Sequence, residues 1–171
     1  ELREVVKVAC IDDCFEQVFP VDALINYNAY HTRFPYEEIY GDKTKLLLGT
    51  DYVPLREEFG VTKIKDAPKE KKFFSVLLAS GGGDAHNAIL GILQRVVQMQ
   101  ELKTVVFHVV VGAYHPQGDA IEAFAGTCEN VKVHRPCHDM AGLMADCDAA
   151  VSAAGTMLFE LCAMQVPTVF F

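Results

Sequence analysis

The 171-residue sequence has no tryptophan, no surplus of positive charge and no paired Cys-x-x-Cys knuckle. It also lacks any apolar run near the roughly 20 residues that a bilayer-spanning helix requires. Fifteen Lys and Arg stand against 23 Asp and Glu, giving a formal charge of −8 and a pI near 5.2. Neither a nucleic-acid backbone nor an anionic membrane surface is therefore expected as the main partner, because both reward positive charge. Any phosphate has to be held by local backbone dipoles. The opening "ELREVVK" is too charged for a signal peptide, so a cytoplasmic location without membrane spans is the expectation.

The cysteines, Cys10, Cys14, Cys128, Cys137, Cys147 and Cys162, do not show the spacing of a disulfide framework, and four lie beside or inside apolar runs. Reduced thiols are expected. A zinc site would have to use Cys128, His134, Cys137 and His138 in "CENVKVHRPCH", without the paired knuckle that usually holds the tetrahedron.

What is present is alternation. "VVKVACIDD", "ALINYN" and "KLLLG" read as short buried strands, ending in carboxylates, amides and glycine. A stretch rich in Lys and Glu, "EEFGVTKIKDAPKEKK", then reads as a linker. Beyond it, the runs "FFSVLLAS", "TVVFHVVVG", "VKVHR", "AAVSA" and "PTVFF" are separated by helical patterns. Strands alternating with helices define an α/β fold with a doubly wound parallel sheet, since parallel neighbours need crossovers. The organisation expected is residues 1–58 as part of one Rossmann-like domain, 59–72 as linker and 73–171 as a second.

Ligands of such sheets lie beyond the carboxyl ends of the strands. Two strand-to-helix loops stand there. "LLASGGGDAHN" places Gly81, Gly82 and Gly83 before Asp84, either as a phosphate cradle or as a tight turn with Asp84 as helix cap. "SAAGT" enters the next helix with small residues, leaving amides near Gly155 and Thr156 open to an oxyanion. Glu160 follows Thr156 by one turn on the same face. Its carboxylate reads either as an acceptor for ribose hydroxyls or as a solvated helix residue.

The segments "IDD", "ALINYNAYHT", "LLLGTDYVPLREEF", "SGGGDAHN", "VVVGAYHP" and "DMAGLMADCDAAVSAAGTMLFELCAMQVPT" together carry a resemblance. They resemble the UDP-sugar hydrolases of pseudaminic acid biosynthesis and their spore-coat polysaccharide relatives. These lie within the GT-B class, which includes the murein glycosyltransferase. The resemblance implies a UDP-sugar substrate bound on a C-terminal Rossmann-like domain, with no cofactor. It implies UDP contacts from Gly81, Gly82, Gly83, Asp84, Cys137, His138, Gly155, Thr156 and Glu160, and borders the sugar with Asn26, Asn28 and Tyr30. The reaction implied is hydrolysis, with a GT-B glycosyltransferase or a non-catalytic nucleotide-sugar-binding module as alternatives. The family's N-terminal glycine-rich loop, which bears a catalytic His, has no counterpart here. The chain is thus expected to be a middle portion of such a protein. Of the histidines, His31 in "AYHT" comes nearest to a replacement, without matching the context, so the catalytic residue is left unassigned.

Overall fold

The computed structural model describes residues 5–62, 73–80, 84 and 87–171. Most of the expected linker, at 63–72, and the three loop glycines at 81–83 lie outside the described residues. The chain divides into two compact units, Glu1–Pro54 and Leu55–Phe171.

The first unit is built on a three-stranded parallel sheet in the order β1-β2-β3: β1 (Ala9–Ile11), β2 (Ala23–Asn26) and β3 (Lys45–Leu48). Helix α1 (Tyr36–Tyr40) joins Val21 and Leu24 in its core through Tyr36 and Tyr40. The chain leaves β3 through Gly49 at φ +99°, a backbone region that a side chain would strain. The Gly49 N–H closes that turn on the Asn26 carbonyl at 2.8 Å.

A buried polar network ties three of these elements together. The Tyr36 hydroxyl donates to Asp12 Oδ2 at 3.0 Å and accepts from Asn26 Nδ2 at 2.9 Å. Asp12 also accepts the N–H groups of Cys14 and Phe15, which turns the chain after β1. Burial is the main cause that pushes the Tyr36 phenol up to about 12. The unfolded chain then releases this proton near pH 10 while the folded chain keeps it, so stability should fall as pH rises from about 10 to about 12. Tyr36→Phe should abolish that alkaline dependence. It should also cost about 1–3 kcal/mol at neutral pH, because the buried partners Asp12 and Asn26 each lose a hydrogen bond. Denaturant melts of both proteins at pH 7 and pH 11 read the two effects; an unchanged midpoint at pH 7 contradicts the neutral-pH cost.

The second unit is a five-stranded, all-parallel sheet in the order β6-β5-β4-β7-β8. Its strands are β4 (Ser75–Ala79), β5 (Val106–Val110), β6 (Val131–His134), β7 (Ala149–Ser152) and β8 (Thr168–Phe170). Adjacent residues of β4 show why the strands read as unbroken apolar runs. Leu78 packs with α3 (Ala88–Val96) and α4 (Gly118–Ala125), while Leu77 packs with α5 (Met140–Asp146) and α6 (Met157–Ala163). Both faces are covered, so alternation of apolar and polar residues disappears. The short helix α2 (Glu58–Val61) belongs to this unit because Phe59 lies in the same core as Leu161 and Met144. The division of the chain thus falls after Pro54, ahead of the charged stretch that reads as a linker in the sequence. Among the described residues, no helix is long and apolar enough to cross a membrane.

Candidate functional site

The strand order of the second unit runs outward from β4 through β5 to β6, then returns to the other side of β4 for β7 and β8. The reversal lies between β4 and β7, where neighbouring crossovers depart to opposite faces and leave a crevice at the carboxyl ends. Ala79 pairs with Ser152 in register, and the Ala153 N–H donates to the Ala79 carbonyl at 3.1 Å. The loops beginning after Ser80 and after Ser152 therefore leave from adjacent strand ends. Gly81, Gly82 and Gly83 themselves are outside the described residues.

Asp84 closes the first of these loops. It is buried, and its carboxylate accepts the N–H groups of Ala88 at 2.8 Å and Ile89 at 2.9 Å, capping α3. Oδ2 also faces His115 Nε2 at 3.6 Å, with both side chains almost wholly buried. His115 Nδ1 accepts the Gln117 N–H, which leaves the ring proton of the neutral imidazole on Nε2, toward Asp84. The two groups face each other between the loops after β4 and β5 without a hydrogen bond. Ser80 Oγ, His115 Nε2 and Gln117 Oε1 are among the buried polar atoms without a hydrogen-bond partner. They follow the carboxyl ends of β4 and β5, where a polar ligand or water would satisfy them.

Gly155 and Thr156 are exposed ahead of α6, and a Cβ at Gly155 would meet open space. The Thr156 hydroxyl makes no capping hydrogen bond. Glu160, one turn later, is not a solvated helix residue: its side chain is only 16% exposed. Arg56 Nε and Nη2 both donate to Glu160 Oε1, at 3.3 and 3.2 Å. The same guanidinium bonds Glu58 Oε1 through Nη1 at 2.6 Å and lies over the Phe59 ring, 5.0 Å from its centroid.

The loop after β6 begins with a cis Arg135–Pro136 bond and brings Cys137 against the core shared by α2, α5 and α6. Burial raises the Cys137 thiol, and the charges of Glu58 and Arg56 act on it too. Cys137 packs against the same core as Phe59 and Leu161. His138 is exposed, and Asp139 caps α5 by accepting the Gly142 N–H at 2.8 Å. No disulfide joins any of the six cysteines; Cys14 and Cys162 are exposed and Cys147 is buried. Among the described residues, no three His, Cys, Asp or Glu side chains come together as metal ligands.

In the first unit, Asn26 is fully buried, with Nδ2 on Tyr36 and Oδ1 accepting the Asn28 N–H at 2.9 Å. It supports the β2 turn from behind. Asn28 Nδ2 is buried without a partner, and Tyr30 is exposed. His31 lies beside Gly49, in an open cleft of about 380 Å³ lined also by Arg33, Pro35, Glu37 and Leu48. That lining includes neither Asn26 nor Asn28.

Reading the sequence for sites passes over Arg56, Ser80, His115 and Gln117. Arg56 and His115 stand inside "VPLREEF" and "VVVGAYHP", which carry the family resemblance, but nothing local to those segments announces their partners.

A parallel sheet reversing between β4 and β7, with the candidate groups at its carboxyl ends, defines a Rossmann-like protein of the GT-B type. The chain belongs to the family described as lipid-A-disaccharide synthetase (LpxB), which matches residues 34–171. It is 30% identical over 138 residues to the spore coat polysaccharide biosynthesis protein SpsG of Bacillus subtilis, covering 75% of this chain and 40% of that protein. It is 25% identical over 162 residues to the UDP-2,4-diacetamido-2,4,6-trideoxy-beta-L-altropyranose hydrolase of Campylobacter jejuni, covering 94% of this chain and 55% of the hydrolase. An uncharacterised protein of Methanocaldococcus jannaschii is 25% identical over 154 residues, with 31% of its length covered. The chain thus spans between about a third and a little over half of the curated relatives it matches.

Proposed function

We propose that this protein binds a UDP-linked, N-acetylated deoxysugar on its second unit and hydrolyses it, in nonulosonic acid or surface polysaccharide biosynthesis. The observation that carries the reading is the position of Glu160, at the first turn of the helix that follows β7, beside the reversal of the sheet. A carboxylate there suits the hydroxyls of a ribose, while amides of the loops after β4 and β7 suit the diphosphate. The Cys137–His138 segment, whose Cys137 packs against the core that also holds Phe59 and Leu161, is proposed to face the uracil. Asn28 and Tyr30, with Asn26 behind them, are assigned to the sugar. The orphan polar atoms of Ser80, His115 and Gln117 add support, since they mark a polar region awaiting a partner.

In the proposed reaction water attacks the anomeric carbon and the C–O bond to the β-phosphate breaks. The products are the free sugar, UDP and a proton. Oriented amide dipoles would stabilise the negative charge that builds on the departing diphosphate, a term of several kcal/mol in a water-excluded site. The hydrolase relative favours this reaction; the disaccharide-synthetase family description favours transfer to a sugar acceptor instead. Incubating the protein with the substrate named for the hydrolase relative separates them. Release of UDP and free sugar without an acceptor supports hydrolysis. Turnover only with an added saccharide supports transfer, and UDP binding with neither reaction leaves a nucleotide-sugar-binding module.

A further inference from the structure

We infer that Arg56 is a positioning residue for Glu160, and that together they make the site selective for a nucleotide with an intact ribose diol. The inference rests on the proposed ribose role of Glu160.

An exposed ion pair by itself would carry little meaning, since such pairs often contribute nothing measurable. Arg56 differs in the number of restraints on one guanidinium. Its face lies on Phe59, a ring 6% exposed and locked in the core with Leu161 of the helix that bears Glu160. One edge, Nη1, is held by Glu58 at 2.6 Å. The other edge, Nε and Nη2, reaches Glu160. Stacking and one charged bond thus orient the planar fork before it meets the second carboxylate, reducing the side-chain entropy lost in that contact.

The two donors on Glu160 converge on a single oxygen, Oε1. This geometry holds Oε1 in place and puts no guanidinium donor on Oε2. A glutamate has several rotatable bonds, and an unrestrained one would have to be ordered when a ligand binds. Here Arg56 has ordered it beforehand. A ribose diol can then meet a carboxylate already aimed, with both lone-pair sites of Oε2 open.

A purely structural pin between α2 and α6 would also show these contacts, so the test compares two ligands. UDP and its 2′,3′-dideoxy analogue differ only in the hydroxyls that Glu160 would accept. Calorimetric titration should show that the unmodified protein prefers UDP about 10-fold or more. Arg56→Ala should weaken UDP about 3- to 10-fold, as expected for losing preorganisation of one charged hydrogen-bonding group. Binding of the dideoxy analogue should stay within about 2-fold, since that ligand makes no use of Glu160. Adding Arg56→Ala to Glu160→Ala should produce no further loss of UDP affinity. Arg56→Lys retains the charge without the fork and should behave nearer to Ala than to Arg.

Equal weakening of both nucleotides by Arg56→Ala overturns the inference in favour of a direct phosphate contact or a general structural role. Tighter UDP binding overturns it in favour of a guanidinium that competes with the ligand. No UDP preference in the unmodified protein removes the ribose role of Glu160 itself, a result distinct from either. Thermal melts of each variant verify that differences in binding occur between folded proteins.

Discussion

Glu160→Ala should weaken UDP binding about 10-fold or more, as expected when a ligand hydroxyl loses a charged acceptor worth about 1.5–3 kcal/mol. The fold should survive. Arg56, half-exposed, keeps Glu58 and the face of Phe59 when its second carboxylate is gone, and water can reach its remaining N–H groups. The core under α6 is made by Leu161 and Met164 rather than by Glu160, so the melting temperature should move by no more than a few degrees. Glu160→Gln refines the outcome. The amide retains one acceptor oxygen but loses the charge, so its affinity should fall between those of the parent and the alanine variant. Calorimetry with UDP measures all three proteins, and equal affinities would retire Glu160 from ribose recognition.

The largest loss of stability is expected from Asp84→Ala. Its carboxylate caps α3 through two N–H groups and is the charged group facing the buried Nε2 of His115. Alanine leaves two helix donors without their acceptor, and the one at Ile89 is buried. Loss of a cap costs about 1 kcal/mol, and an orphaned buried polar group about 1–3 kcal/mol, so about 2–4 kcal/mol is expected in total. That corresponds to a fall in melting temperature of roughly 5–15 °C. Asp84→Asn keeps an acceptor for the cap and should lose less. Differential scanning calorimetry checks both, and a change under about 2 °C for alanine would mean that the α3 terminus finds other partners.

The contrast between Asp84 and Glu160 shows how far the sequence could be read. Three glycines followed by Asp, placed between an apolar run and a helical pattern, give Asp84 two readings within a single segment. The capping reading is the one the described geometry displays, because its partners Ala88 and Ile89 lie four and five residues away. Asn26 is similar in part: a polar residue ending a buried strand announces a special position. Its engagement with Tyr36 instead of solvent depends on how α1 returns over the sheet. The exposed thiols of Cys14 and Cys162 were not legible either, since an apolar neighbourhood in sequence does not fix which way a side chain turns. The separation of the chain after Pro54 depends on Phe59, a lone aromatic in a charged stretch whose burial only the second core reveals.

The sequence by itself determined the α/β class, the succession of parallel strands and crossover helices, and the carboxyl-end loops where chemistry should be sought. Each of those follows from spacing along the chain: short apolar runs, helical periodicity and glycine punctuation act over a few residues. Tertiary structure decided the strand order with its reversal beside β4, the approach of His115 to Asp84, and the guanidinium of Arg56 on a glutamate 104 positions away. Periodicity records which face of an element is buried but not which element covers it. Side chains so distant in sequence meet only when the packing of the sheet and its helices brings their separate surfaces together.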